Sequence, residues 1–215
     1  MGTMPPPAPD EAPRVFLVDD HASVRRSLER VLRAAGYRVE SFSSARMFLA
    51  SGCHAGATGC LLLDLCMPEL DGLALQAELA RLDAALAIVF ITGNASVEAS
   101  VRAMRAGAVD FLAKPVAASI LLESVRRALA RAVNARAARA ELAAIRALEQ
   151  SLTRREHEVM KLVVEGLLNK QVAGELGVSE KTVKIHRARV MEKTRARSLP
   201  DLVRFAARLG IPSAP

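Results

Sequence analysis

Apolar and polar positions fall into two regimes along the chain. Up to about residue 113, short apolar runs alternate with stretches in which apolar residues recur every three or four positions. Arg14–Asp19 (RVFLVD) is an apolar run that ends in acids; Val24, Leu28, Val31 and Leu32 then follow at helical spacing, and Gly36 stops that helix. Tyr37–Phe42, Cys60–Asp64, Ala87–Thr92 and Val109–Leu112 are further strand candidates. Helices are predicted near 44–51, 71–82 and 96–105, and another after Pro115. Strands that are apolar on both faces, each followed by a helix, predict an α/β fold with a doubly wound, five-stranded parallel sheet.

Beyond Pro115 the strand pattern disappears. From Val116 to Glu165 there is neither Gly nor Pro, and residues 124–149 are rich in Ala, Arg and Leu, all strong helix formers. Apolar stripes occur at each end (Leu122, Val125, Leu129; Ile145, Leu148, Leu152) but lapse over Asn134–Ala140, so a solvated connecting helix is expected over 129–147. Thr153-x-x-Glu156 has the form of a capping box, and Val159, Leu162 and Val163 would line the inner face of the helix it starts. Val172, Ala173 and Leu176 form another apolar face; Gly177 permits a tight turn, and Ser179 is placed to cap a further helix. On that last helix Val183 and Val190 should be buried, with Lys181, Lys184, Ile185, Ala188 and Arg189 on the outer side. This second part is an all-α helix-turn-helix.

Charge follows the same division. The chain of 215 residues carries a formal +7, but residues 1–130 hold a net −1, residues 131–150 a net +2 and residues 151–215 a net +6. A compact basic module suggests a polyanionic partner. Aromatics are only 3%, with no Trp, which disfavours single-strand recognition by stacking and leaves double-stranded DNA. The helix after Ser179 has the width of a major-groove reader, with Lys and Arg at its phosphate rims. Residues 1–12 (MGTMPPPAPDEA) read as a disordered, proline-stiffened tail without the features of a signal peptide. Three cysteines and no apolar run long enough to span a bilayer point to reduced thiols in a cytoplasmic protein. No C-x₂₋₄-C pair supports a zinc site.

The chemistry lies at the strand ends, where doubly wound sheets collect it. The first predicted strand ends in Asp19-Asp20, the third in Asp64 and the fourth in Thr92, while the fifth leads into Lys114-Pro115. Three carboxylates on one rim need a cation, and hard oxygen donors suit Mg²⁺. A phosphoryl group drawn to that cation would meet the Lys114 ammonium and the Thr92 hydroxyl, with one carboxylate as nucleophile.

VFLVDDH, LLLDLCMPELDG, IVFITG and AGAVDFLAKP resemble the receiver domain of bacterial two-component response regulators over 13–128. The resemblance implies Asp64 as phosphoacceptor. It implies Mg²⁺ held by Asp20, Asp64 and the backbone carbonyl of Cys66, with Asp19 acting mainly through water. Lys114, before a cis Pro115, would contact the phosphoryl group, and Thr92 with Phe111 would form the switch. His21 stands where a third acid is frequent, and Cys66 and Asn94 occupy positions that tune autodephosphorylation in the family. The stretch LTRREHEVMKLVVEGLLNKQVAGELGVSEKTVKIHRARVMEKT resembles the LuxR-type helix-turn-helix of FixJ- and NarL-type regulators over about 148–212, which assigns residues 148–215 to that domain. That likeness implies phosphate contacts from Thr182 and Lys184, and places Lys184, Ile185 and Ala188 toward base edges.

Together the two modules imply a transcription regulator phosphorylated by a sensor histidine kinase. Phosphorylation would alter the outer face of residues 96–125, favouring a homodimer, release of the basic domain, or both, with recruitment of RNA polymerase. The resemblance implies a phosphoryl acceptor with slow autodephosphorylation at most, rather than an enzyme. One alternative keeps DNA binding but uses the receiver fold as a phosphorylation-independent dimerisation module; intact Asp20, Asp64, Thr92 and Lys114 oppose it. A haloacid-type phosphohydrolase is opposed by Cys66 where a D-x-D motif requires its second acid.

Overall fold

The structure is a computed structural model that describes residues 13–93 and 96–212; the expected tail 1–12 and Asn94 lie outside them. The first unit runs to residue 136 and the second begins at residue 137.

In the first unit β1 (Arg14–Val18), β2 (Arg38–Phe42), β3 (Gly59–Asp64), β4 (Leu86–Thr92) and β5 (Asp110–Ala113) pair in the order β2-β1-β3-β4-β5, every pair parallel. Side chains on a strand point alternately to opposite faces, and both faces are covered. Phe16, Val18, Leu61, Leu63 and Phe90 pack with Phe48, Leu75, Leu79 and Ala103 from α2 (Ala45–Ala50), α3 (Gly72–Arg81) and α4 (Val97–Arg105). The intervening Val15, Leu17, Cys60, Leu62, Val89 and Ile91 pack with Leu32, Leu121, Val125 and Ala128 from α1 (Ala22–Ala34) and α5 (Ala118–Gln150). Cys60 is thus a small core hydrophobe, and burial pushes its thiol pKa up.

Caps set the helix starts where short polar residues stand. The side chains of Ser44, Asp71 and Ser96 accept from backbone N–H groups in the first turns of α2, α3 and α4. Helix α3 also begins unusually close to the sheet: a Cβ on Gly72 would lie 2.5 Å from the Asp64 carbonyl oxygen and 2.9 Å from Phe90.

Helix α5 is continuous to Gln150. Leu129 and Ala132, at the start of the expected connecting segment, pack in the first unit's core. Ile145 and Leu148, at its end, pack in the second unit's core. The second unit adds α6 (Arg154–Val164), α7 (Asn169–Leu176), α8 (Glu180–Thr194) and α9 (Leu199–Arg208) around Val159, Met160, Val163, Val172, Val183, Val190, Leu202 and Ala206. The Thr153/Glu156 capping box is present with both of its bonds. No helix among the described residues is long and apolar enough to cross a membrane.

Candidate phosphoacceptor site and nucleic-acid interface

Because every strand of the first unit runs the same way, the residues ending β1, β3, β4 and β5 share one rim. Asp19, Asp64 and Thr92 are buried there, and Asp20 is half-buried. Lys114 reaches back across 95 residues of chain: its Nζ donates to Asp19 Oδ2 at 2.6 Å and lies 3.1 Å from Asp64 Oδ2. Asp64 Oδ1, by contrast, is buried without a hydrogen-bond partner. A carboxylate oxygen left so exposes a lone pair to whatever enters the rim.

Electrostatics follow from burial. Desolvation raises the Asp64 pKa, partly opposed by the hydrogen bond and charge of Lys114. Burial works against the Lys114 ammonium, but hydrogen bonds and charges from Asp19 and Asp64 outweigh it, so its pKa is raised and it stays protonated. Ligand atoms of Asp19, Asp20, His21 and Asp64 all lie within 4.8 Å of one another. The backbone N–H of His21 donates to Asp19 Oδ1 at 2.8 Å, and its ring Nδ1 lies 2.8 Å from Asp20 Oδ1. Arg25 was not singled out from the sequence. Its guanidinium donates to the backbone carbonyls of Asp19 (2.7 Å) and Asp20 (3.1 Å), clamping the acidic turn from the first turn of α1. Its spacing of four from His21, one helical turn into a predicted helix, was the available signal.

The expected switch residues lie on β4 and β5. Thr92 ends β4 opposite Ala113, its carbonyl accepting from the Lys114 N–H at 2.7 Å. Phe111 is half-buried, its ring centroid 6.0 Å from that of Phe90. Lys114–Pro115 is cis. Cys66 is exposed in the loop after β3.

In the second unit, α7 and α8 are joined through Gly177, which adopts φ +63°, a left-handed turn that favours glycine. Ser179 Oγ accepts from the Thr182 backbone N–H at 3.1 Å and lies 2.8 Å from the Thr182 hydroxyl. Val183 and Val190 are buried, whereas Lys181, Lys184, Ile185, Ala188 and Arg189 are all exposed on the opposite side of α8. Two fixings of α8 were not anticipated. Arg187 donates to Asn169 of α7 at 3.1 Å. Lys193 donates to buried Glu156 of α6 at 2.6 Å and to the Ser151 carbonyl at 3.0 Å.

Comparison with known proteins follows this division. Residues 15–126 match the response regulator receiver domain, and residues 150–206 match the bacterial regulatory proteins of the luxR family. The chain is 49% identical over 197 residues to nodulation protein W of Bradyrhizobium diazoefficiens, covering 92% of this chain and 86% of that one. It is 42% identical over 192 residues to the transcriptional regulatory protein FixJ of Rhizobium meliloti, covering 89% of this chain and 94% of the relative. Among solved structures, the response regulator StyR superposes with a TM-score of 0.80 at 43% identity, covering 92% of this chain and 99% of that one. The buried acidic rim and the exposed basic helix therefore belong to one molecule of known lineage: the chain is a member of the response regulator family, with a receiver domain followed by a luxR-family DNA-binding domain.

Proposed function

We propose that this response regulator controls transcription through a phosphoryl group carried on Asp64, received from a sensor histidine kinase, and through promoter DNA read by α8. The observation that carries this reading is the buried, partnerless Asp64 Oδ1, set beside a charged Lys114 on a rim of acids. Those residues fit a hard divalent cation such as Mg²⁺: Asp19, Asp20, Asp64 and the backbone carbonyl of Cys66 would hold it. Bound there, the cation offsets the charge of the incoming phosphoryl oxygens.

The remaining steps belong to the chain's own residues. A carboxylate oxygen of Asp64 forms the new O–P bond as the N–P bond to the kinase histidine breaks, and the leaving imidazole takes up a proton. Lys114, now between Asp19 and Asp64, turns its ammonium to a phosphoryl oxygen. The Thr92 hydroxyl moves toward the same group, and the half-buried Phe111 ring turns into the space it leaves. The face of residues 96–125 changes as a result and favours a homodimer that binds paired half-sites and recruits RNA polymerase. On DNA, Thr182 and Lys184 engage phosphates, Lys184, Ile185 and Ala188 approach base edges, and Lys181 and Arg189 stand on the same outer side of α8. The aspartyl phosphate is lost only by slow self-hydrolysis.

Acetyl phosphate with Mg²⁺ followed by Phos-tag electrophoresis tests the reading. The wild type is expected to shift; an unshifted band refutes phosphorylation control and leaves the receiver fold as a constitutive dimerisation module.

A further inference from the structure

We infer that His21 is a nitrogen ligand of the acidic cation site, making it a mixed nitrogen–oxygen centre that favours borderline transition-metal dications such as Co²⁺ over Mg²⁺. This rests on the cation-site reading above and concerns which cation the site selects.

His21 sits immediately before α1 as its N-cap residue, but its side chain makes no capping bond. The imidazole instead turns toward the acids, with Nδ1 2.8 Å from Asp20 Oδ1 and 3.7 Å from Asp19 Oδ1. Two donors bound to one cation at about 2.1 Å stand about 3.0 Å apart at right angles and about 3.4 Å apart in a tetrahedron. The shorter contact is a hydrogen bond from Nδ1–H to the Asp20 carboxylate, so a cation would replace that proton; the two separations bracket the ligand-to-ligand values, and the ring would need to move only a few tenths of an ångström. The backbone there is held by Arg25 on the Asp19 and Asp20 carbonyls, and by the His21 N–H on Asp19.

The division of oxygens supports the same placement. Lys114 takes Oδ2 of Asp19 and lies closest to Oδ2 of Asp64. The His21 ring lies nearest Oδ1 of Asp19, and Oδ1 of Asp64 is buried without a partner. One oxygen of each acid is thus matched to the ammonium; of the other two, Oδ1 of Asp19 already accepts from the His21 backbone N–H, and Oδ1 of Asp64 is open to a cation. His21 is largely exposed, so Nε2–H can face water while Nδ1 binds. A carboxylate at this position would supply a hard oxygen suited to Mg²⁺. An imidazole adds little for Mg²⁺, which prefers oxygen and surrenders water reluctantly, but it is a good donor for Mn²⁺, Co²⁺ and Zn²⁺.

Untagged full-length protein tests this with Mg²⁺, Co²⁺ and Mn²⁺ as the probes. Calorimetric titration of wild type, His21→Ala, His21→Glu and Asp64→Asn gives the Co²⁺-to-Mg²⁺ affinity ratio of the Asp64-dependent site. That ratio is expected to fall by about tenfold or more in both His21 variants. Pulsed EPR of bound Mn²⁺ should show nitrogen modulation in the wild type that is absent from His21→Ala. An unchanged ratio, or nitrogen modulation that survives His21→Ala, overturns the inference while Asp64-dependent Mg²⁺ binding still upholds the cation site. Absence of any Asp64-dependent cation binding overturns both.

Discussion

Replacing Glu156 by Gln isolates one charge at the foot of the DNA-reading helix. Glu156 is buried, 1% exposed, and one oxygen accepts from both the Thr153 backbone N–H at 2.8 Å and Lys193 Nζ at 2.6 Å. Gln has nearly the same size and can still close the capping box, so the variant removes the negative charge and little else. The Lys193 ammonium beside it, opposed by burial and aided by the Thr153 bonds, holds the Glu156 carboxyl down at about 2. A carboxyl held that far below an ordinary 4.5 is worth about 3 kcal/mol to the folded unit. Lys193 is 32% exposed, so water screens the pair and about 2 kcal/mol is the better figure. Because the folded pKa is depressed, this stability is complete above 4.5 and is lost as pH falls from there toward 2. Hydrogen exchange on the full chain at neutral pH should show amides of α6–α9 exchanging about 30-fold faster in the variant, with β1–β5 unaffected. In urea melts the wild type should lose this increment on acidification, and the variant should not. A change in protection below about twofold, or an equal loss in the first unit, would refute the argument.

Other perturbations have defined outcomes. Asp64→Asn should abolish the Phos-tag shift with acetyl phosphate while the circular dichroism spectrum is retained; a persisting shift places the acceptor elsewhere. Lys184→Ala should weaken DNA binding and reduce the slope of log K against log salt by about one. Its ion pair with Glu180, at 3.5 Å on the exposed face, leaves it available to a phosphate, and an unchanged slope removes it from the interface. Gly72→Ala pushes a methyl group to 2.5 Å from the Asp64 carbonyl and should cost about 1–3 kcal/mol in urea unfolding. It should also slow labelling by acetyl phosphate; stability equal to wild type would show that α3 withdraws freely.

What the sequence determined by itself was local. A strand buried on both faces is written as a run such as Leu61–Leu63, and a helix start as Ser44, Asp71, Thr153 or Ser179, because period and capping depend on neighbouring residues. Parallel pairing then forces Asp19, Asp64 and Thr92 to one rim, so the acidic site was legible once the alternation of strands and helices was seen. The outer face of α8 was legible in the same way, from the seven-residue spacing of Val183 and Val190. The tertiary structure alone decided which partners meet across the fold. Lys114 settles on Asp19 as well as Asp64, and one oxygen of Asp64 is left without a partner. Gln76 reaches from α3 to the carbonyls of Ala103 and Ala106 at the end of α4. Glu156 closes on Lys193, 37 residues away. None of these follows from spacing, because a long side chain's choice among acceptors depends on distances of a few tenths of an ångström that packing sets only after the elements have docked.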